Sequence, residues 1–274
     1  MGIEVRKFDE LKRIIAEMGS VLVAYSGGVD STLLLKVAAD TLPNRVVAAI
    51  AVSPTYPEKE HAEARDRAER IGVRHITVES GELDIPQFAE NPPDRCYYCK
   101  GDLYSRLKVI AESEGLEHIA DGSNKDDEDD YRPGMRAAAE KGIRSPLREA
   151  GLTKADIRQL SRALGLPDWN KPSMACLASR FPYGDRITVE GLRMVADAED
   201  CLRRLGMDGM RVRKHKGLAR IEVSPGDLVR FADDGFRAGV VESFKKLGFT
   251  YVTLDLQGYR SGSMNEALGD GEGP

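Results

Sequence analysis

The sequence predicts an α/β protein, a doubly wound parallel sheet followed by a second, smaller α+β domain. Three observations carry this reading. Short apolar runs alternate with helix-period segments between residues 21 and 120, the pattern of strand–helix–strand crossovers. A glycine turn, Ser26-Gly27-Gly28-Val29-Asp30-Ser31, joins the first apolar run to the helix after it. From Thr188 onward the pattern changes to helix, hairpin, helix and strand.

The elements follow in order from residue spacing. Phe8, Leu11, Ile14, Ile15 and Met18 recur at helical spacing and predict a helix over 7–18. Segment 21–25 is a short apolar strand that ends at the glycine turn. Segments 31–40 and 58–71 read as helices, 46–52 and 74–78 as strands. A helix over 102–113 and a strand over 118–120 complete the alternation. Beyond residue 122 comes a charged loop, then a helix opened by Thr153 as N-cap and closed by Gly165 and Pro167. Residues 170–186 are a long irregular stretch, and loops of that length in compact domains are commonly functional. The second unit reads as a helix over 188–205, hairpin strands over 210–215 and 218–223, a helix over 236–247 and a strand over 250–256. The expected domains are therefore 1–186 and 187–262, with a flexible tail over 263–274.

Composition narrows the class. Hydrophobic residues make up 41% and charged residues 31%, as in globular proteins. A net charge of −5 disfavours a general nucleic-acid binder. The apolar runs are too short to span a bilayer, and the N-terminus has no signal-peptide core, so a cytoplasmic location is expected. The four cysteines, Cys96, Cys99, Cys176 and Cys201, then suggest metal or redox chemistry before disulfides.

The glycine turn has a mechanism. Gly27 and Gly28 let the backbone turn tightly and approach a ligand. Amides at the start of the next helix favour an anion there. Ser26 and Ser31 add hydroxyl donors, and Asp30 can hold Mg²⁺ or cap the helix. The turn lacks the Gly-Lys-Ser/Thr of a Walker loop. It resembles the PP-loop of the ATP pyrophosphatases, of the adenine nucleotide α-hydrolase-like fold. That resemblance implies cleavage of ATP between its α- and β-phosphates, with pyrophosphate leaving into the loop. It also places the end of the second strand, Ala51-Val52-Ser53, beside the adenine.

Cys96-Tyr97-Tyr98-Cys99 precedes the helix over 102–113 and brings two sulfurs toward one ligand. Cys176, in the irregular stretch, is a candidate third. Three thiolates would leave a zinc ion or an iron–sulfur cluster one position short. Redox or persulfide thiols, or no joint role, are the other readings. Cys201 falls at 3–4 spacing with Met194, Ala198 and Leu205, which predicts core packing.

The segment from Asp121 to Pro172, the Ala175–Gly184 stretch and the later Arg211–Val223 and Tyr251–Gly262 segments together resemble the LarE family. These are ATP-dependent sulfur transferases. The resemblance implies adenylation of the carboxylates of pyridinium-3,5-biscarboxylic acid mononucleotide and their conversion to thiocarboxylates, in biosynthesis of a nickel-pincer nucleotide cofactor. It further implies that Cys96, Cys99 and Cys176 hold a [4Fe-4S] cluster with a sulfide or persulfide donor, and that the chain forms a homohexamer. Sacrifice of Cys176 as the sulfur source is the alternative within the family, and thiolation of tRNA is the alternative outside it.

The hairpin can be read on its own. With its turn at Lys216-Gly217, Arg211 faces Glu222, Arg213 faces Arg220 and His215 faces Leu218. Opposed arginines repel, and an anion between them would relieve this. The resemblance assigns Arg211 and Arg213, with Ser179, Arg180 and Arg260, to the substrate phosphate. Glu199 lies in phase with the apolar stripe of Leu192, Val195 and Leu202 and needs a partner. Family comparison groups it with Glu222 and Asp227 around a divalent ion; a salt bridge to arginine is the other reading. Asp127 and Asp130 are expected in a solvated acidic loop, with a Mg²⁺ role as the alternative.

Overall fold

The computed structural model describes residues 3–129, 133–172, 175–260 and 262–268 of the 274-residue chain. In chain order its elements are α1 (Ile3–Glu17), β1 (Val21–Ala24), α2 (Val29–Thr41), β2 (Val46–Val52), α3 (Glu58–Ile71), β3 (His75–Glu79), α4 (Pro86–Ala89), α5 (Arg95–Ser113) and β4 (His118–Ala120). Then follow α6 (Pro133–Glu140), α7 (Pro146–Glu149), α8 (Lys154–Ala163), α9 (Val189–Arg204), β5 (Arg211–His215), β6 (Leu218–Glu222), α10 (Asp234–Lys246) and β7 (Tyr251–Leu254). They fall into two compact units, Met1–Ile85 with Asp94–Met174, and Pro86–Pro93 with Ala175–Pro274. Reading in chain order could not assign Pro86–Pro93 to the second unit.

The first unit is built on a parallel sheet of order β3-β2-β1-β4. The period-two alternation of each strand sorts its side chains onto two faces. Val21, Val23, Val46, Ala48 and Ile50 join Leu11, Ile15, Leu33 and Ile157 in one core. Leu22, Val47, Ala49 and Val78 join Tyr104, Leu107 and Ala111 in another. Helices thus cover both faces, and the sheet is doubly wound as expected. Burial on both faces is why β2 reads Val-Val-Ala-Ala-Ile-Ala-Val with no polar interruption. The chain runs outward from β1 to β3 and returns to β4 on the other side of β1. The carboxyl ends of β1 and β4 therefore border the switch point, where open α/β sheets take ligands.

One expected element moves. The helix read as starting near residue 102 begins at Arg95, so Cys96 and Cys99 lie within its first turns rather than before it. Gly101 and the polar residues around it hide the helix in the sequence, yet the helix runs through them. The cap at Thr153 is present as a capping box with Asp156.

In the second unit β5 and β6 form an antiparallel hairpin, and β7 adds to β6 in parallel. The register is the one the turn signals predict: Arg211 opposite Glu222, Arg213 opposite Arg220, His215 opposite Leu218. The sheet packs Val212, Ile221 and Ala219 against Ala198, Leu202, Val240 and Phe244, with Cys201 at the edge of this core as expected. Pro86–Pro93 is tied in by hydrogen bonds. The Asn91 amide donates to the carbonyls of Phe181 and Pro182, at 3.2 and 2.6 Å. Gly184 N–H donates to Asn91 O at 3.0 Å, and Ile187 N–H to Ala89 O at 2.8 Å. Of the expected tail, Ser263–Leu268 forms a 3₁₀ turn, and 269–274 lie outside the described residues. No described helix is long and apolar enough to cross a membrane.

Candidate functional site

In the first unit the glycine turn sits at the carboxyl end of β1, at the switch point. Gly27 adopts φ +72°, a left-handed conformation that favours glycine. A Cβ there would lie 2.9 Å from the Ala64 Cβ. Gly28 is the N-cap of α2 and supplies no side-chain cap, so the first amides of that helix are left to another partner. Ser26 and Ser31 hydroxyls stand 3.1 Å apart at the mouth of the turn. Such a turn can cradle an anion, with two hydroxyls beside its amides.

Asp30 lies in the first turn of α2. Its Oδ2 accepts from Asn124 Nδ2 at 3.3 Å and from Lys154 Nζ. Its Oδ1 is buried and has no partner among the described residues. That oxygen fits a hard cation such as Mg²⁺, whose ligands are carboxylate and phosphate oxygens. Gly122, just after β4, closes the other side. A Cβ at Gly122 would come within 2.9 Å of the Ser31 nitrogen. Val52 ends β2, and its carbonyl accepts from Ser80 N–H at 3.0 Å. Asp127 departs from the solvated-loop expectation. It is buried and accepts from the Asn124 amide at 2.9 Å, so it fastens a turn. Asp130 lies outside the described residues.

Cys96 and Cys99 stand three apart on one face of α5, Cys96 exposed and Cys99 half-buried. Neither is in a disulfide, and their thiolates suit a soft metal or an iron–sulfur cluster. The next residue, Lys100, has its ammonium 5.4 Å from the Tyr104 ring centre. The Tyr104 hydroxyl donates to Asp121 Oδ2 at 2.8 Å. Tyr104 and Asp121 push the Lys100 pKa upward against burial and keep the ammonium charged.

In the second unit Arg180 and Glu199 are both buried and paired. Nε and Nη2 donate to the two Glu199 oxygens at 2.8 and 3.0 Å, and Val212 N–H donates to the same carboxylate at 3.1 Å. Arg180 Nη1 donates to Ala175 O at 2.9 Å, to Ser179 Oγ at 2.8 Å and to Cys176 O at 3.3 Å. Ser179 Oγ adds a bond to Cys176 O at 2.8 Å. The backbone carrying Cys176 is therefore held by a guanidinium that Glu199 anchors.

Glu222 plays the same part for the hairpin. It accepts from Arg213 Nε and Nη2 at 3.0 and 2.8 Å and from Arg220 Nη2 at 3.1 Å. The anion expected between the opposed arginines is thus this carboxylate. Asp227 accepts from Ser224 Oγ at 2.8 Å and pairs with Arg230 at 3.4 Å. Glu199, Glu222 and Asp227 each take an arginine, which is the salt-bridge reading. Among the described residues no three His, Cys, Asp or Glu side chains gather as a metal-holding group in either unit.

Arg260 pairs with Glu266. Arg211 differs from the other arginines assigned to the phosphate. Among the described residues its Nη1 donates only to the carbonyl of Met210, at 2.7 Å, and its guanidinium lies 4.9 Å from the Tyr259 ring centre. No carboxylate pairs with it among the described residues. Burial, and then the neighbouring Arg180 charge, push its pKa down. A half-buried cation short of a counter-ion suits an anionic group such as a phosphate.

Sequence reasoning missed Asn124, Lys154 and Gly122 around the cradle, and Arg67, whose Nη1 donates to Gly27 O at 3.0 Å. Each lies far from the glycine turn in the chain. Only Gly122, placed where a strand ends at the switch point, carried a local signal.

The chain matches no established protein-family profile. It is 47% identical over 262 residues to an uncharacterized protein of Synechocystis, covering 96% of this chain and 98% of that one. It is 42% identical over 258 residues to the pyridinium-3,5-bisthiocarboxylic acid mononucleotide synthase of Lactiplantibacillus plantarum, covering 93% and 92%. An argininosuccinate synthase of Methanocaldococcus jannaschii is 27% identical over 160 residues, 53% of this chain and 40% of that one. That shorter likeness agrees with the PP-loop, adenine nucleotide α-hydrolase-like fold.

Proposed function

This chain belongs to the family of pyridinium-3,5-bisthiocarboxylic acid mononucleotide synthases, and we propose that it carries out their reaction, ATP-dependent sulfur insertion into a pyridinium biscarboxylate mononucleotide. The observation that carries this is the uncapped start of α2 at the glycine turn, with the partnerless Asp30 oxygen beside it. An anion cradle without a Walker lysine suits a departing pyrophosphate. A substrate carboxylate oxygen attacks the α-phosphorus of ATP, the bond to the bridging oxygen breaks, and pyrophosphate leaves toward Ser26, Gly27, Gly28 and Ser31. Asp30 would hold Mg²⁺, which offsets charge on the phosphates when bound. Charge stabilisation by fixed amides is the main catalytic contribution expected. Hydrosulfide then adds to the adenylate carbonyl, AMP leaves, and the resulting thiocarboxylic acid loses its proton to give the thiocarboxylate.

Cys96, Cys99 and Cys176 would hold a [4Fe-4S] cluster, whose open iron supplies sulfide when bound. Arg211 takes the mononucleotide phosphate. Ser179, Arg180 and Arg213 order the segment around it, and Arg260 assists. The carboxylates Glu199, Glu222 and Asp227 are proposed to act through these arginines. The family resemblance also suggests a homohexamer, which light scattering checks.

The test is product analysis. Incubation with ATP, Mg²⁺, the biscarboxylate mononucleotide and sulfide yields AMP and pyrophosphate in step with thiocarboxylate. ADP and phosphate instead would overturn the reading. Anaerobic preparation yields about four iron and four sulfide per chain, lost in Cys99→Ala; stoichiometric zinc would sink the cluster. Loss of sulfur from Cys176 after one turnover, read by intact mass, would replace the cluster with the sacrificial route.

A further inference from the structure

Helix α3 carries Arg67, which the chemistry above does not use. Arg67 is buried and spreads its guanidinium over three acceptors. Nη1 donates to Gly27 O at 3.0 Å, Nη2 to Glu63 Oε2 at 2.8 Å, and Nε to Asp168 Oδ2. Two of these are carboxylates that anchor the fork; the third is a carbonyl of the glycine turn itself. The anchors are braced in turn. Lys171 Nζ bonds Glu60 at 2.6 Å and Glu63 at 3.0 Å, and Lys171 N–H donates to Asp168 O at 2.9 Å.

The geometry of the peptide unit gives this contact a consequence. In a trans peptide the C=O and the following N–H point in opposite directions. A guanidinium that holds the Gly27 carbonyl toward α3 therefore turns the Gly28 N–H away from α3. Among the described residues that amide has only a long contact, 3.4 Å to Ser26 Oγ, and remains open to a stronger acceptor. Gly27 cannot fix this orientation alone, because glycine samples both signs of φ with little preference. A planar fork held on two edges by carboxylates can.

We propose that Arg67 is a positioning residue for ATP: it sets the Gly27–Gly28 peptide plane so that the Gly28 amide faces the phosphates. This rests on the reading of the glycine turn as the ATP site. Arg67 touches neither substrate nor reacting atoms, so its effect is on ATP affinity and not on the other substrate.

Three variants test it, by calorimetric titration with ATP-Mg²⁺ and by steady-state kinetics. Arg67→Met binds ATP at least tenfold more weakly and raises the KM for ATP, with the KM for the mononucleotide unchanged. Arg67→Lys, whose single nitrogen cannot span all three separated acceptors, recovers part of that loss and stays at least threefold weaker than wild type. Glu63→Gln removes one anchor but leaves the Gly27 contact. With Asp168 still holding the fork, it lowers ATP affinity less than Arg67→Met does. The proposal is overturned if Arg67→Met binds ATP within twofold of wild type. It is equally overturned if Glu63→Gln loses as much affinity as Arg67→Met. If Arg67→Met does not fold, Arg67→Lys carries the comparison, and affinity equal to wild type overturns the proposal. Failure of the wild-type chain to bind ATP refutes instead the reading of the turn.

Discussion

Removing the Glu199 carboxylate tests how the Cys176 segment is held. Arg180 is 2% exposed and Glu199 5%, so neither charge is solvated. Glu199→Ala leaves the guanidinium buried with only backbone carbonyls and one hydroxyl as partners. Breaking a buried pair from one side costs about 3–5 kcal/mol. At about 2–4 °C per kcal/mol for larger chains, the melting temperature falls by about 6–20 °C. Removing both charges is gentler, because burying the pair already costs desolvation. Arg180→Met with Glu199→Leu therefore recovers much of the loss. It does not recover sulfur transfer, because the bonds to Ala175, Cys176 and Ser179 are gone. Circular dichroism melts and thiocarboxylate yield read the two effects separately. The reasoning fails if Glu199→Ala melts within about 2 °C of wild type, or if the double variant melts below Glu199→Ala.

Other outcomes follow from the same geometry. Gly122→Ala places a Cβ 2.9 Å from the Ser31 nitrogen; the overpacking costs about 1–3 kcal/mol and weakens ATP binding about tenfold, read by calorimetry. Arg211→Met weakens mononucleotide binding about tenfold with stability within about 0.5 kcal/mol, since no carboxylate is orphaned. Arg213→Met strips Glu222, 1% exposed, of its bidentate partner and also costs about 3 kcal/mol, measured in urea. Burial, then the Arg220 charge, depress the His215 pKa. A depressed folded value adds stability that is full above the unfolded value of about 6.5 and lost as pH falls through the folded one. Wild type should therefore lose stability relative to His215→Gln below about pH 6.5 and show a pH-independent difference above about pH 7.5.

The parallel sheet was legible because strands buried on both faces have nowhere to place a polar residue, as β2 demonstrates. The hairpin register was legible because its turn signals at Lys216-Gly217 left little freedom in pairing. What defeated the sequence were contacts made by residues far apart in the chain. Nothing around Arg67, Lys154 or Asn124 distinguishes them from solvated polar residues, and their role appears only when α3, α8 and the loop after β4 close on the glycine turn. The opposed arginines mark a place where an anion would relieve repulsion, and Glu222, two positions beyond Arg220 on the same strand, puts a carboxylate there. Helix α5 was cut short at Gly101 because a glycine in a polar run resembles a turn, while the packing of Tyr104, Leu107 and Ala111 carries the helix through.

The placement of Pro86–Pro93 in the second unit has a bearing on synthesis. Asn91, fully buried, bonds Phe181, Pro182 and Gly184. On the ribosome it waits for Gly184, 93 residues later. At roughly 5–20 residues per second that interval lasts roughly 5–20 s. During it Asp94–Met174 emerges and can complete the first sheet, while the 86–93 segment remains a docked-to-nothing loop. Slowing translation after residue 93 should lengthen its exposure to proteases, and a fragment beginning at Ala175 should fold only when a peptide spanning 86–93 is added in trans.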